Sequence, residues 1–339
     1  MTTIFFMKES VLDPLEERII HALQIEGRAP WSELAPVIGV DAVTLARRWE
    51  SLRGRGLAWV TGIFPGGASA LVDITCMPQH TGEVAERIAR IPAVLTLDHT
   101  SGGRDLIATM LADSPLAIWD VVTNRIGGLE GVRHTQTHLV TELLMEASDW
   151  RLRALSPHEA TRIPRPRPPR ARAPRAVHPD VETALRHCLA EDGRRPISRI
   201  AAEHHLSEQR VADGLARLRA EGTLRIRTDV ARNVTGWPVY AWYFVRTPAR
   251  QIQQMRQLMA QIPEARTALA VASQYNLVVA VWLREMTDVM RFEAALEAAV
   301  PSARIVDRSV VFRMSKHLGR LIDDDGAAKR GFIHPQSLG

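Results

Sequence analysis

The 339-residue sequence has little of what marks secreted, membrane-spanning or metal-stapled proteins. Its two cysteines, Cys76 and Cys188, stand far apart and outside any CxxC spacing, so neither a disulfide framework nor a structural zinc site is indicated. The N-terminal MTTIFFMKES has an apolar run too short for a signal peptide, and no run approaches the ~20 apolar residues that span a bilayer. We therefore expect a soluble protein of the reducing cytoplasm, with no membrane partner.

Signatures of catalysis are also missing. The sequence has no G-x-S-x-G, no phosphate-binding P-loop and no dinucleotide fingerprint. His204 and His205 are adjacent on a short predicted helix and point in different directions, so a metal pair is not expected there. His134 and His138 share a strand face by their even spacing, where a satisfied surface pair is expected rather than a ligand set. We expect no cofactor, no metal and no enzyme activity.

The basic excess of the chain is confined to one segment. The formal net charge is +5, but RIPRPRPPRARAPR at 162–175 alone holds six arginines and five prolines with no acid. Without those arginines, 37 basic residues face 38 acidic ones. Proline excludes a helix interior and a central strand, which predicts an extended, solvated linker that reaches ~43 Å at ~3.1 Å per residue. The alternative is an arm that lies along DNA phosphates.

The chain contains an internal duplication. Residues 27–56 align without gaps with residues 193–222, and the block that begins at residue 90 aligns with the block that begins at residue 261, at an offset five residues larger. A change of offset between two constant blocks indicates a loop-length difference between two domains. Each half is therefore predicted to hold a pair of domains. The predicted boundaries are 10–61 and 66–150 in the first half, 177–228 and 236–320 in the second, a linker at 151–176 and a tail at 321–339.

The first unit of each half has the pattern of three helices with a tight turn between the last two. The first helix carries apolar residues at helical spacing: Leu15, Ile19, Ile20 and Leu23. A short second helix follows Ser32 and ends around Gly39, and Asp41 is the expected N-cap of the third helix. The third helix buries a stripe formed by Leu45, Trp49 and Leu52. This arrangement predicts a helix-turn-helix unit.

The exposed N-terminal part of the third helix predicts DNA contacts. In the first copy the expected contact residues are Ser32, Val43, Thr44, Arg47 and Arg48. In the second copy Asp213 and Gly214 replace the two consecutive arginines, while Arg210 and Arg217 remain. We therefore expect the first unit to carry most of the specific recognition of double-stranded DNA.

The second unit of each half has the order βαββαβ, which predicts an α+β ferredoxin-like sandwich. Its strands in the second half are VYAWYFVRT, ARTALAVAS, NLVVAVWLR and ARIVDRSVVFRM, and its helices are PARQIQQMRQLMAQI and MTDVMRFEAALEAAV. Such a sheet leaves one face without helices, so that face needs a partner. Pairing of the two copies within one chain, or homo-oligomerisation, would supply it.

The chain resembles the Lrp/AsnC feast/famine family of bacterial transcription regulators, in tandem-duplicated form. The matching features are LDPLEERIIHALQIEGR, the helix-turn-helix with Arg48, the loop TSGGRD and the segment GLEGVRHTQT. The resemblance implies winged helix-turn-helix heads on the nucleoid and domains that bind an amino acid or related metabolite. The effector residues that it implies are Ser101, Gly102, Gly103, Asp105, Thr135 and Thr137. The second copy has ASQYN in place of the glycine loop, so effector binding is expected mainly in the first copy.

Two alternatives share this architecture. Siroheme decarboxylases also resemble Lrp/AsnC regulators and occur as paired copies, but they need histidine or arginine groups around a tetrapyrrole, and residues 272–282 hold no histidine. The other alternative is a metabolite-sensing assembly protein that does not bind DNA. The arginines of the first recognition helix argue against that alternative.

Overall fold

The structure, a computed structural model, describes residues 12–335. The N-terminal MTTIFFMKES lies outside that range. The first half contains α1 (Pro14–Ile25), α2 (Trp31–Ile38), α3 (Ala42–Gly54), β1 (Ala58–Ile63), β2 (Ala68–Cys76), α4 (Thr81–Ala89), β3 (Val94–Thr100), β4 (Leu106–Ala112), α5 (Pro115–Asp120) with a π-helical continuation Val121–Ile126, and β5 (Val132–Met145). A short helix, α6 (Pro157–Thr161), lies in the connection between the halves.

The second half repeats this order and adds a C-terminal hairpin. Its elements are α7 (Pro179–Glu191), α8 (Ile197–Glu203), α9 (Glu208–Ala220), β6 (Arg225–Val230), β7 (Val239–Arg246), α10 (Ile252–Gln261), β8 (Ala265–Ala272), β9 (Leu277–Leu283), α11 (Asp288–Ala299), β10 (Arg304–His317), β11 (Arg320–Ile322) and β12 (Ala328–Phe332). Within residues 12–335, none of these helices is long and apolar enough to cross a membrane.

We call the helix-turn-helix unit α1–α3 the first head and the unit α7–α9 the second head. Capping residues mark the starts of several of their helices. Asp13 and Glu16 form a capping box at the start of α1. Asp41 accepts a hydrogen bond from the Thr44 amide at the start of α3, and this bond lowers the pKa of its carboxyl. Ser207 caps α9 in the same way. The predicted helix-turn-helix pattern is confirmed in both copies.

A two-stranded ribbon joins the heads. β1 and β6 pair antiparallel over their full lengths, with Ala58 opposite Val230 and Ile63 opposite Arg225. Each strand directly follows the recognition helix of its own head. The ribbon therefore fixes the spacing of α3 and α9, and it is formed by one strand from each half.

The eight strands of the two sandwiches close into one barrel in the order β10-β3-β4-β2-β5-β8-β9-β7, with β7 pairing back to β10. The two 14-residue strands make this closure possible. The first part of β5 pairs with β2 of its own half, and the last part pairs with β8 of the other half. β10 likewise pairs first with β7 and then with β3. The sheet face that needs a partner in each half is thus covered within the chain.

Apolar side chains form separate cores on the two faces of the barrel wall. The outer core of the first half packs under α4 and α5, and the outer core of the second half packs under α10 and α11. The interior contains aromatic side chains from the second half, including Trp242, Phe244 and Tyr275. A fourth core lies inside the second head. Burial on both faces accounts for strands such as β9, in which all seven residues are buried.

Two segments are more ordered than their composition predicts. Residues 320–332 contain β11 and β12, which extend the sheet from the edge of β10. The connection between the halves packs on the first head, where the buried side chains of Leu155 and Ile163 join the core that contains α1. The amide of Leu155 donates to Nδ1 of His21 over 2.8 Å. The segment is therefore not a fully solvated spacer, because it carries apolar anchors on both sides of α6.

Candidate DNA-binding and effector surfaces

The N-terminal part of α3 presents an open surface in the first head. The side chain of Val43 is 78 % exposed, and Arg47 is exposed without a hydrogen-bonding or charged partner within residues 12–335. Thr44 is half-buried. Arg48 differs from Arg47, because its Nη1 lies 2.9 Å from Oδ2 of Asp13 at the start of α1. Among the arginines of α3, Arg47 has no partner in residues 12–335, whereas Asp13 orients Arg48.

Ser32 lies near the start of α2 and is exposed. It is not the N-cap of that helix, since the helix begins one residue earlier, at Trp31, and Pro30 occupies the cap position. The Ser32 hydroxyl is therefore available on the head surface, consistent with a phosphate contact of the kind that side-chain hydroxyls make.

The corresponding surface of the second head is covered by the linker. Asp213, at the position equivalent to Arg47, accepts two hydrogen bonds from Arg170, of 2.9 and 2.7 Å. This bidentate pair lowers the pKa of the Asp213 carboxyl. One turn further along α9, Arg217 donates to the Pro174 carbonyl over 3.1 Å. The helix face of Gln209, Asp213 and Arg217 therefore carries the linker, whereas the equivalent face of α3 is open.

Arg210 also has partners within its own head. Its Nη2 lies 2.9 Å from both carboxylate oxygens of Asp180, at the start of α7. Asp180 thus holds Arg210 much as Asp13 holds Arg48, although the two arginines are not at equivalent positions of the duplication. Of the predicted DNA contacts in the second head, neither Arg210 nor Arg217 is unpaired.

The linker arginines divide into bound and free groups. Arg162 donates to the Pro36 carbonyl over 3.2 Å, and Arg167 lies 3.3 Å from Glu33. With Arg170, three of the six contact protein groups on the two heads. The side chains of Arg165, Arg172 and Arg175 have no such partner in the part of the chain that the structure describes. The linker is therefore a strap between the heads rather than a free spacer.

The predicted effector loop lies at the seam between the two halves. The Ser101 amide donates to the Val310 carbonyl of β10, and the Ser101 hydroxyl accepts from the Val310 amide, both over 2.9 Å. Gly102 has a left-handed backbone with φ of 90°, and a Cβ at Gly103 would meet open space. Asp105 accepts a hydrogen bond from the Cys76 amide over 2.7 Å. Ser101, the two glycines and Asp105 therefore lie together in one loop, and hydrogen bonds to Val310 of the other half hold that loop in place.

Thr135 and Thr137 lie on β5, opposite Ile74 and Val72 of β2. Those two partners belong to the outer, helix-covered core. Directly opposed residues on paired strands share a face, so both threonines face the outside of the barrel. They are half-buried and remain accessible on that face.

A buried polar cluster inside the barrel was not anticipated. Arg104, next to the predicted effector glycines, lies 2.9 Å from Asp73 and 2.6 Å from Asp307 of the other half. His138 is fully buried and lies 3.2 Å from the same Asp73 oxygen. The expectation of a surface pair with His134 is wrong for His138, because its strand face is the barrel interior. Phe244 lies 3.9 Å below the Arg104 guanidinium.

A second acid in the barrel lies against aromatic groups of the other half. Asp98 is fully buried on β3, and its Oδ2 accepts a 2.9 Å hydrogen bond from Nε1 of Trp242. Burial raises the pKa of the Asp98 carboxyl to about 7, against the hydrogen bonds from Trp242 and Tyr240 and the charge of Arg232, which lower it. Both clusters join the halves through polar groups that no local motif reveals.

Comparison with protein families agrees with the architecture of the first half. The family model described as the AsnC-type helix-turn-helix domain matches residues 12–53, and the one described as the Lrp/AsnC ligand binding domain matches residues 69–149. An uncharacterized HTH-type transcriptional regulator of Pyrococcus furiosus is 27 % identical over 139 residues, which are 39 % of this chain and 94 % of that protein. The HTH-type transcriptional regulator AldR of Mycolicibacterium smegmatis is 29 % identical over 146 residues, 40 % of this chain and 85 % of AldR.

Solved structures of a siroheme decarboxylase match the fold of both halves. The crystal structure of the siroheme decarboxylase NirDL is 15 % identical and covers 90 % of this chain and 93 % of that chain, with a TM-score of 0.58. At this identity the likeness shows a shared fold. The two family matches fall in the expected order on the helix-turn-helix head and on the first sandwich described above. The first half of the chain therefore contains an AsnC-type helix-turn-helix domain followed by an Lrp/AsnC ligand binding domain.

Proposed function

We propose that this chain is a sequence-specific DNA-binding regulator that acts on the nucleoid in the cytoplasm, with the first head as its principal DNA reader. The observation that carries the proposal is the difference between the two recognition helices. The exposed face of α3 carries the guanidinium of Arg47, which has no partner among residues 12–335, whereas the same position of α9 is an acid already bound by the linker. An acid at that position repels phosphate, and a bound linker excludes it sterically.

Gel-shift titrations with DNA from the chain's native locus test this proposal. Arg47→Ala is expected to cost about 1–3 kcal/mol of binding free energy if it reads a base, or to reduce the salt slope by ~0.9 if it contacts a phosphate. Arg48→Ala is expected to weaken binding as well, since Asp13 holds that side chain in a fixed position. Arg210→Ala serves as the matched variant in the second head. A greater loss from Arg210→Ala than from Arg47→Ala would reverse the assignment of the heads.

The same regulator responds to a small metabolite with an ammonium group, such as an amino acid, at the loop of Ser101, Gly102, Gly103 and Asp105. The loop geometry supports this proposal, because two adjacent glycines expose backbone and Asp105 offers a carboxylate beside them. Thr135 and Thr137 belong to the same proposed site. Calorimetry with each amino acid on the full chain is the test. Loss of heat in Asp105→Asn, with retention in a variant of the second loop, Asn276→Asp, is the expected result.

Association beyond the single chain is part of the proposal, because the exposed side chains of Leu116 and Trp119 on α5 leave apolar surface outside the barrel. Light scattering at several protein concentrations tests it. A mass that stays at one chain throughout would remove homo-oligomerisation from the proposed function.

The second candidate function is a siroheme decarboxylase-like activity. One observation favours it, namely that NirDL matches the fold across both halves of the chain. The discriminating measurement is visible absorption of the purified protein with added siroheme. Tight binding with release of carbon dioxide would replace the regulator proposal, whereas an unchanged siroheme spectrum together with DNA binding would support the regulator.

A further inference from the structure

Three potential metal ligands converge between the first two helices of the second head. Cys188 lies on α7, Glu203 ends α8, and His204 follows it directly. The Cys188 sulfur lies 3.3 Å from Nε2 of His204 and 3.8 Å from Oε2 of Glu203. All three ligand atoms lie within 4.8 Å of one another. Such convergence of a thiol, an imidazole and a carboxylate occurs nowhere else in residues 12–335.

The duplication shows that this cluster is specific to the second head. At the alignment offset of 166 residues, the equivalent positions of the first head are Ala22, Val37 and Ile38. All three are buried apolar residues in the core of that head. The fold of the head therefore does not require polar groups at these places. Three chemically different ligand types stand where the same scaffold otherwise packs aliphatic side chains.

The distances match those of a small tetrahedral ion. Zinc binds sulfur at ~2.3 Å and nitrogen or oxygen at ~2.0–2.2 Å, which places tetrahedral ligand atoms about 3.5 Å apart. The soft sulfur donor favours Zn²⁺ or Co²⁺ over Mg²⁺ and Ca²⁺, which require oxygen ligands. Three protein ligands leave a fourth position for water.

The surroundings orient the ligands and provide access. Arg195 lies 2.9 Å from Oε1 of Glu203, so the other carboxylate oxygen remains directed at Cys188. His204 also lines a cavity of about 780 Å³ between the second head, β1 and the C-terminal hairpin. The His187 ring, which lines the same cavity, stands edge-on to His204 at 6.2 Å. The cavity therefore gives a metal ion access to the His204 imidazole, which lies directly beside the buried Cys188 sulfur.

We propose that Cys188, Glu203 and His204 form a binding site for one divalent transition-metal ion of the Zn²⁺ class, which ties α7 to α8 in the second head. Binding releases the thiol proton, and the resulting thiolate, the neutral imidazole and the carboxylate each donate one electron pair to the ion. The site is independent of the DNA and effector proposals, since none of its ligands belongs to either.

The test is titration of the full chain with Co²⁺ and then Zn²⁺. The expected result is one ion per chain, with a thiolate-to-cobalt charge-transfer absorption that Zn²⁺ abolishes. Cys188→Ala, Glu203→Val and His204→Ile each install the residue that the first head has, so the head is expected to fold. Cys188→Ala is expected to remove the charge-transfer band, and the other two to weaken metal binding by at least 10-fold.

Two controls make the result decisive. Cys76→Ala removes the other cysteine and is expected to leave the cobalt spectrum unchanged. Circular dichroism of each variant checks the fold, and Cys188→Ser provides a smaller change in case Cys188→Ala unfolds. Absence of a charge-transfer band in the wild-type chain, or its persistence in the Cys188 variants, would overturn the proposal and leave the trio as a hydrogen-bonded cluster.

Discussion

Gly39 and His205 occupy the same position in the two heads, and both adopt a left-handed backbone, with φ of 79° and 54°. Each residue lies within two positions of the end of the second helix of its head, where the chain turns toward the recognition helix. Glycine adopts this conformation without steric cost, whereas a side chain costs about 1–2 kcal/mol there. The turn is therefore relaxed in the first head and strained in the second.

The strain at this turn predicts the effect of exchanging the two residues. His205→Gly is expected to raise the free energy of unfolding by about 1 kcal/mol, because the imidazole is exposed and makes no hydrogen bond, ion pair or ring contact within residues 12–335. Gly39→His is expected to lower it by a similar amount. Urea titrations of both variants provide the measurement. A lower free energy of unfolding for His205→Gly would contradict the inference that the left-handed backbone at His205 is strained.

The Arg170–Asp213 pair predicts how the linker responds to a single substitution. Arg170→Ala removes both hydrogen bonds between the linker and Asp213 of α9 and is expected to increase the rate of proteolytic cleavage within residues 164–175. The matched control is Arg172→Ala, which deletes an exposed linker arginine with no partner in residues 12–335. Equal cleavage rates for the two variants would show that the pair does not hold the strap. Limited trypsin is unsuitable because it cuts at arginine, so a protease that cleaves at other residues is used.

The cluster around Arg104 predicts a large stability effect. Arg104→Ala leaves Asp73 buried with only His138 beside it and also removes the ion pair with Asp307 of the other half. Removing one partner of a buried ion pair costs about 3–5 kcal/mol. The control Arg313→Ala breaks a pair with the exposed Asp324 and is expected to cost about 0–1 kcal/mol. Denaturant unfolding distinguishes the two, and similar costs would contradict the interpretation.

Burial of Asp98 predicts a pH dependence of stability. Its folded-state pKa of about 7 lies above the unfolded value of ~3.9, so the folded chain binds more protons between these limits. The contribution of Asp98 to the free energy of unfolding therefore falls as pH rises from about 4 to 7, by up to about 1.4 kcal/mol per pH unit. Asp98→Asn removes this contribution.

The stability of Asp98→Asn relative to the wild-type chain is accordingly expected to increase between pH 5 and pH 8. Urea unfolding at the two pH values measures the change. Asp113→Asn, which alters an exposed acid, is expected to shift the wild-type pH profile little. Parallel pH profiles for wild type and Asp98→Asn would contradict the assignment of the buried carboxyl.

Local patterns in the sequence predicted much of the fold. The cap at Asp41 and the stripe of Leu45, Trp49 and Leu52 identified α3, and the structure has both features. Alternation and order of the strands predicted the ferredoxin-like sandwich. These features depend on neighbouring residues, so one copy of the motif contains the information needed to recognise them.

What the sequence did not reveal depends on contacts between distant residues. Arg104 and Asp307 are 203 positions apart, and their pairing requires that β10 continue from its own half onto β3. Strand alternation does not show which face of β5 is enclosed, so it predicts a surface position for His138, whereas the side chain is buried. The strap formed by the linker is missed for the same reason, since Arg170 and its partner Asp213 on α9 are 43 positions apart.

Strands β5 and β10 each pair with strands of both halves, so each half completes the sheet of the other. In a dimer of identical chains, any substitution alters both heads at once, and the two-fold axis favours palindromic operators. In this chain the equivalent positions of the duplication hold Arg47 and Asp213, and Ala22 and Cys188, so a substitution can change one head and leave the other unchanged. Two different heads joined in one chain do not require a palindromic DNA site, so the operator of such a protein can be asymmetric.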